Sequence, residues 1–214
     1  MINRAKFFNH VRGAVFHGHM TQKQVDGMST ILDAWESDKR MRDLRWLAYM
    51  LGTAYHETAA TMQPIKEFGS VAYFTRNYDV MGRRPDVARK MGNTEPGDGP
   101  RYCGRGFIQN TWKINYLRGG QEIGLGTALV ENPDLALEPG IAARLMFEGM
   151  TRRDIEFEDH TAPGQWTFTG RALEDYFNDT TEDWVGARRI INGTDHAEMI
   201  ADTARDFYDA MYES

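Results

Sequence analysis

Apolar side chains recur along most of the chain at intervals of three and four residues, the spacing of an amphipathic helix. Several of these runs open on residues that favour helix starts, with Thr21, Asp43 and Asp195 as N-caps and Pro139 in a first turn. The predicted helices cover residues 7–15, 21–35, 43–55, 109–118, 139–150, 183–191 and 195–212. The pattern predicts a mainly α protein with roughly seven or more helices.

Residues 59–105 interrupt this periodicity. The stretch is rich in glycine and proline and holds short aromatic runs, such as residues 71–78. We interpret it as loop plus a small irregular β-hairpin, inserted after the third helix. Residues 151–170 are predicted to form a polar loop, and no shift in composition marks a linker, so we predict a single domain over residues 1–214. Long loops in compact domains are usually functional.

Composition and charge exclude several classes of protein. With 41% hydrophobic residues among 214, the chain can build a sizeable core, and its net charge of −6 disfavours nonspecific nucleic-acid binding. A single cysteine, Cys103, rules out an intrachain disulfide. No apolar run is long enough for a membrane span or a signal-peptide core. We therefore expect a protein that is made in a cytosol, has no export signal of its own and does not insert into membranes.

Glu57 is the first candidate for chemistry. It lies at the end of the third predicted helix, off the core face, on a stripe with Trp46, Met50 and Thr53. Apolar cover of this kind raises the pKa of a carboxyl group, as a general acid requires near neutral pH. A surface glutamate at a frayed helix end is the alternative. A zinc motif is excluded because Ala60 stands where a second histidine is needed.

Glu67 is the candidate for a second carboxylate. Glycoside hydrolysis uses two carboxyl groups, about 5 Å apart when one is the nucleophile and ~6.5–9.5 Å apart when a water fits between them. Asp79 is an alternative for the same role, and Lys66 could make Glu67 a simple ion-pair partner. Spacing along the chain does not decide between these readings.

A glycine turn at Gly104 and Gly106 leads into Gln109 and Thr111, whose neutral donors and acceptors suit sugar hydroxyls and amides. Ordinary capping of a helix is the alternative. Cys103 in this turn could act as a nucleophile only with a nearby base, for which His56 is the sole candidate. Near the C-terminus, Asn192 before Gly193 fits a helix C-cap.

Four motifs together resemble glycoside hydrolase family 19, which contains plant-type chitinases and phage endolysins with a lysozyme-like, mainly α fold. In chain order these are His56-Glu57-Thr58, then Arg101-Tyr102-Cys103-Gly104-Arg105-Gly106-Phe107-Ile108-Gln109, then Asn115-Tyr116, then Ile190-Ile191-Asn192-Gly193. The similarity covers roughly residues 20–212. Segments 62–67, 92–99 and 132–137 resemble the phage and prophage branch more closely.

The resemblance implies roles for individual residues. Glu57 stands at the position of the general acid, and Glu67 is expected to be the base, with Asp79 behind it. The residues expected to bind substrate are Tyr102, Gln109, Thr111, Asn115, Tyr116 and Asn192. No metal and no cofactor are expected. The chain departs from the plant enzymes in having Ala59 and Ala60 after the motif and in lacking their disulfides.

We therefore expect a peptidoglycan hydrolase of the endolysin type, cleaving β-1,4 bonds next to N-acetylated sugars with inversion. It would act on glycan strands of the cell wall as a monomer, after a holin-like pore opens the membrane, with no nucleic-acid partner. A chitinase acting on poly-N-acetylglucosamine is the alternative, followed by a non-catalytic glycan-binding or virion protein. Which glycosidic bond breaks stays open.

Overall fold

The computed structural model describes residues 2–38, 43–151 and 166–212. Within these ranges it is mainly helical, which confirms the predicted fold class. The α-helices are α1 (Arg4–Ala14), α2 (Gln22–Ser37), α3 (Leu44–Glu57), α4 (Val71–Tyr78), α5 (Pro85–Lys90), α6 (Asp98–Arg101), α7 (Lys113–Glu122), α8 (Ala128–Glu131), α9 (Pro139–Met150) and α10 (Ala197–Tyr212). Short 3₁₀ helices cover Pro133–Leu137, Leu173–Asp175 and Gly186–Ile190.

A two-stranded antiparallel sheet pairs β1 (Ile65–Lys66) with β2 (Arg105–Gly106). In its register Ile65 stands opposite Gly106, and Lys66 stands opposite Arg105. The predicted small hairpin region is therefore present, although its two strands enclose helices α4, α5 and α6.

The chain forms two compact units. The first unit comprises Met1–Gln63 with Met146–Ser214, and the second comprises Pro64–Leu145. Glu57 and Asn192 belong to the first unit, whereas Glu67 and the glycine turn belong to the second.

The core of the first unit contains the contact between α3 and α10. A Cβ atom built on Gly52 would lie 2.9 Å from the Cβ of Ala204, so glycine permits a close approach of these helices. Phe7 on α1 stacks on Phe207 of α10, with ring centroids 6.3 Å apart. Burial of these apolar faces fixes the helix that ends at Glu57.

Capping residues start the first helices where the sequence predicts. The hydroxyl of Thr21 accepts the backbone N–H of Gln24, and the Gln24 side chain accepts the backbone N–H of Thr21, which completes a capping box. The carboxylate of Asp43 accepts the backbone N–H of Arg45 at the start of α3. These predicted boundaries are confirmed.

Residues 71–78 correct the sequence analysis, because they form α4 rather than irregular aromatic structure. The Ser70 hydroxyl accepts the backbone N–H of Tyr73 as an N-cap. Phe74 is buried and stacks on Tyr78 one turn later, with ring centroids 6.3 Å apart. This spacing of four is the helical signal that the short aromatic run carried.

Three further predictions need adjustment. Helix α7 begins at Lys113 instead of residue 109, because Gln109 and Trp112 have φ angles of 53° and 78° that no α-helix permits. The helix predicted over 183–191 is a 3₁₀ turn over Gly186–Ile190. The last helix begins two residues after Asp195, since His196 has a φ of 55°. Most of the loop predicted over 151–170 lies outside the described residues.

Among residues 2–38, 43–151 and 166–212, no helix has both the length and the apolar character needed to cross a bilayer.

Candidate active site

Glu57 ends α3 in an ion pair with Arg188. The Arg188 Nη1 donates to the Glu57 Oε1 at 2.6 Å, and the two side chains are 4% and 15% exposed, respectively. The Nε of Arg188 donates to the carbonyl oxygen of Asp195 at 3.0 Å, which fixes the guanidinium. The expected setting of apolar neighbours is therefore wrong in one respect, because a buried cation contacts the carboxylate directly. The alternative of a frayed surface glutamate does not fit this burial.

Sequence reasoning missed Arg188 as a functional residue. It lies 131 positions from Glu57 along the chain, so no local spacing links the two. The sequence offered only a general rule, which is that an arginine buried in a protein needs an anion or several acceptors as partners. The 3₁₀ helix that carries Arg188 also positions Asn192, whose backbone N–H donates to the Arg188 carbonyl at 3.0 Å. Asn192 is exposed.

His56 lies beside Glu57 in a partly buried position. Burial lowers the pKa of His56, an effect opposed by the charge of Glu57 and reinforced by Arg188 and by His196. The rings of His56 and His196 have centroids 5.0 Å apart. His56 is thus favoured as a neutral imidazole, which can both donate and accept a hydrogen bond.

A cavity of about 180 Å³ adjoins the end of α3 within the first unit. Its lining residues are Tyr55, His56, Ala59, Ala60, Met199, Ile200 and Thr203. The turn that closes α3 is strained, because Ala59, Ala60 and Met62 all have φ between 50° and 62°. Such backbone costs about 1–3 kcal/mol per residue and is found preferentially at functional sites.

Glu67 occupies a different setting in the second unit. Its Oε1 accepts the Tyr78 hydroxyl at 2.8 Å, and its Oε2 accepts the backbone N–H of Gly104 at 3.1 Å. The Glu67 N–H in turn donates to the Gly104 carbonyl at 2.8 Å. Over the residues described, no cation lies within ion-pair distance of Glu67, so the Lys66 alternative does not hold. Burial, followed by the charge of Glu67, raises the pKa of Tyr78.

Gly104 is required by close packing at this point. A Cβ atom there would lie 2.8 Å from the Gln109 Oε1 and 3.2 Å from the Glu67 Oε2. Gln109 Nε2 donates to the carbonyl oxygens of Ile65 at 3.0 Å and Gly106 at 3.3 Å. The glycine turn therefore places the Glu67 carboxylate and the Gln109 amide next to each other.

Thr111 and Asn115 continue this cluster. The Thr111 hydroxyl donates to the Gln109 carbonyl at 2.8 Å, and Asn115 Nδ2 donates to the Thr111 carbonyl at 2.8 Å. Gln109 and Thr111 are partly exposed, whereas Asn115 is buried. The structure thus brings together four of the predicted site residues: Glu67, Gln109, Thr111 and Asn115.

The Asp79 carboxylate accepts hydrogen bonds from the backbone. It is 1% exposed, and its oxygens accept the N–H groups of Met81 at 3.0 Å, Gly97 at 2.8 Å and Gly99 at 3.0 Å. Burial by itself raises the pKa of Asp79, but these three hydrogen bonds outweigh it, and the pKa lies below its ordinary value. The alternative that Asp79 is the second catalytic carboxylate is therefore wrong, because neither oxygen is available to a water or a sugar.

Tyr102 and Tyr116 are core residues, which corrects the prediction that they bind substrate. They are 2% and 0% exposed. Their hydroxyls donate to the carbonyl oxygens of Val130 at 3.1 Å and Cys103 at 2.7 Å. Cys103 is also fully buried, and burial raises the pKa of its thiol, so a cysteine nucleophile is excluded.

Tyr78 is the second functional residue that sequence reasoning missed. It was part of the aromatic run that we interpreted as irregular, and only its place at the end of α4 brings its hydroxyl to Glu67. For a metal, the described part of the chain offers no cluster of three or more His, Cys, Asp or Glu side chains.

Each unit holds one partly covered carboxylate, Glu57 in the first and Glu67 in the second, and the second unit adds neutral amide and hydroxyl groups around Glu67. Carboxyl groups are the side chains that glycoside hydrolysis uses. The family model for glycoside hydrolase family 19, described as chitinase class I, matches residues 23–206. The chain therefore belongs to glycoside hydrolase family 19.

Two tomato-genus proteins are similar to this chain. An acidic 26 kDa endochitinase of Solanum lycopersicum is 38% identical over 119 residues, which cover 54% of this chain and 46% of that protein. The acidic endochitinase pcht28 of Solanum chilense is 36% identical over 124 residues, covering 56% of this chain and 41% of that protein. The matched part therefore spans less than half of each relative.

Solved structures share the fold. Chitinase C from Streptomyces griseus aligns with a TM-score of 0.57 at 20% identity, over 99% of this chain and 76% of that one. A bacterial family 19 chitinase aligns with a TM-score of 0.56 at 19% identity, over 98% and 94% of the two chains.

Proposed function

We propose that this chain hydrolyses β-1,4 glycosidic bonds next to N-acetylated sugars in bacterial peptidoglycan, with Glu57 as the acid and Glu67 as the base. The observation that carries the proposal is the unlike surroundings of the two carboxylates. Glu57 contacts a buried cation, whereas Glu67 contacts only neutral donors among the described residues. Two carboxyl groups in different environments are what an acid and a base on one reaction require.

In the proposed reaction, Glu57 gives its proton to the leaving glycosidic oxygen as the bond to the anomeric carbon breaks. The carboxylate that results is negatively charged, and Arg188 at 2.6 Å stabilises that charge as it forms. The same cation opposes protonation of Glu57 before the reaction, so the acid must take up its proton against this charge.

A water attacks the anomeric carbon from the side opposite the leaving oxygen, and its proton passes to Glu67. The absence of a described cation beside Glu67 favours this uptake, because a positive charge would oppose protonation. Tyr78 and Gly104 hold the carboxylate in one orientation. Gln109, Thr111 and Asn192 are assigned to substrate and water, and the sugar product has inverted configuration.

The choice of peptidoglycan rests on the three segments that resemble the phage and prophage branch, at 62–67, 92–99 and 132–137. Resemblance to that branch implies an endolysin role, in which a monomer reaches the cell wall after a pore has opened the membrane. A chitinase acting on poly-N-acetylglucosamine is the second candidate, because both Solanum relatives are named endochitinases.

The decisive experiment is Glu57→Gln, which keeps the size of the side chain but removes the transferable proton. A general acid contributes about 10²–10⁴-fold, so release of reducing ends from purified peptidoglycan is expected to fall by that factor. Circular dichroism and thermal unfolding check that the variant folds. Undiminished activity in a folded Glu57→Gln protein would remove Glu57 from its role.

Mass spectrometry of the products separates the two substrates. Soluble muropeptides from peptidoglycan, with little cleavage of chitin oligomers, support the proposal. The reverse pattern supports the chitinase. Sugar binding without any new reducing ends identifies a non-catalytic glycan-binding protein and overturns both.

A further inference from the structure

The charge of the chain is unevenly divided between its two units. The second unit, Pro64–Leu145, holds eleven Lys and Arg against nine Asp and Glu, a net charge of +2. The rest of the sequence holds fourteen against twenty-two, a net charge of −8, and the two sum to the −6 of the whole chain. The overall charge therefore hides a cationic region in the unit that carries Glu67.

The positive charge of this unit is concentrated on α4, α5 and the turn between them. We call the five cations there the basic segment: Arg76, Arg83, Arg84, Arg89 and Lys90, all exposed. Residues 76–90 contain only two acids. Asp79 is buried and bonded to three backbone N–H groups, so it offers nothing to a cation.

Four of these five cations have no carboxylate partner among the residues that the structure describes. Arg83 and Arg84 donate to the neutral side-chain and backbone oxygens of Asn77, at 2.5 Å and 3.4 Å. Arg89 contacts the exposed Asp86 at 3.3 Å, a surface pair that contributes ~0–1 kcal/mol. Within the described ranges, no carboxylate lies within 4.0 Å of the other four cations.

The basic segment shares helix α4 with Tyr78, which contacts Glu67. Arg76 lies two residues before Tyr78, whose hydroxyl contacts Glu67 at 2.8 Å. Four of the five cations are arginines, whose planar guanidinium groups bind carboxylates in a bidentate manner. The unit that carries Glu67 therefore also carries a surface suited to carboxylates.

Two glycans are open to the proposed enzyme, and they differ in charge. Chitin is uncharged, whereas the peptide stems of peptidoglycan carry free carboxylates. We propose that the basic segment binds the stem-peptide carboxylates of peptidoglycan and so selects this anionic glycan over chitin. The inference rests on the proposed function, because it names what distinguishes its substrate.

Two matched variants test the proposal. The first removes the basic segment with R76Q, R83Q, R84Q, R89Q and K90Q. The control removes five exposed cations of the first unit with K6Q, R12Q, K23Q, R171Q and R189Q. Both variants lose five positive charges, so they carry the same net charge and differ only in where it was removed. Neither variant changes a residue that is assigned to catalysis.

Binding is measured by co-sedimentation with purified peptidoglycan and with chitin, at low salt and at about 0.5 M salt. At low salt we expect the basic-segment variant to bind peptidoglycan at least ~10-fold more weakly than the wild type does. High salt should remove this difference, because it weakens binding by the wild type. The control and all binding to chitin should change by no more than about twofold. Equal losses in the two variants, or an equal loss on chitin, overturn the proposal.

Reducing-end release is recorded on the same samples, so that the two failures are distinguishable. If wild-type protein releases none from peptidoglycan, the proposed function fails, whereas the binding comparison still decides the role of the basic segment. Should the fivefold variant unfold, the pair R84Q and K90Q replaces it. For this pair we expect about threefold weaker binding, and no difference from K6Q with R12Q overturns the proposal.

Discussion

Glu57 and Glu67 differ in the groups that contact their carboxylates. Glu57 ends a fourteen-residue helix and contacts Arg188, a cation that is itself almost fully buried. Glu67 follows a two-residue strand, and an O–H and an N–H donate to its carboxylate. A fixed cation stabilises the charge that an acid acquires when it gives up its proton, whereas neutral donors orient a base without adding a repelling charge. The difference in partners is therefore what supports the difference in proposed roles.

The largest effect is expected from removing the cation. Arg188→Ala leaves the Glu57 carboxylate without its partner in a covered position and removes the group that stabilises its charge in the transition state. We expect kcat to fall about 10²–10³-fold with KM little changed. Breaking such a buried pair also costs about 3–5 kcal/mol of unfolding free energy.

Arg188→Lys is the control for that variant, since it retains a positive charge but not the forked geometry. It should recover part of the lost kcat. If Arg188→Ala keeps full kcat in the folded fraction, the contrast between the two carboxylates has no catalytic meaning.

Asp79 is a structural carboxylate with which the two candidate catalytic carboxylates can be compared. Its pKa is lowered in the folded state, so the unfolded chain binds more protons at low pH. The stability it contributes is present above its ordinary value of about 3.9 and is lost as the pH falls through the lower folded value. Asp79→Asn also turns an amide N–H₂ toward backbone donors.

We expect Asp79→Asn to lower the unfolding free energy by about 2–3 kcal/mol at neutral pH, and by progressively less below about pH 4. Denaturant unfolding at several pH values measures this, with the exposed Asp86→Asn as a control that should change little. The kcat of folded Asp79→Asn should equal that of the wild type. A large loss of kcat would return Asp79 to the list of catalytic candidates.

The helical periodicity was enough to predict α2 and α3, because Thr21 and Asp43 cap these helices through local contacts. It failed at α4, where eight residues are too few for a pattern dominated by aromatic side chains. It failed again at Gln109 and Trp112, whose positive φ angles are imposed by tertiary packing. Local propensity cannot signal the second case, whereas α4 carried a short helical signal in the spacing of four between Phe74 and Tyr78.

The site was predictable only in part, for a similar reason. The family motifs located Glu57 and Gln109, because motif residues are contiguous in sequence. The partners that define the two carboxylates, Arg188 and Tyr78, are 131 and 11 positions away from them. The motif residues Tyr102 and Tyr116 proved to be buried, since a motif records packing as well as chemistry.

Tyr78 provides the finest test of the comparison. Tyr78→Phe removes only the hydroxyl that donates to Glu67, while the ring can keep its stacking on Phe74 at 6.3 Å and its edge contact with Trp112 at 5.2 Å. We expect kcat to fall about tenfold at unchanged KM, because Tyr78 orients the base and does not bind the sugar. A donated hydrogen bond favours the ionised form of a carboxylate.

The exposed control Tyr212→Phe should keep the kcat of the wild type. A purely structural tyrosine would lower the unfolding free energy and leave kcat unchanged in the folded protein. An unchanged kcat in folded Tyr78→Phe would thus assign Tyr78 to packing, and among the described residues Glu67 would then be oriented by the Gly104 N–H.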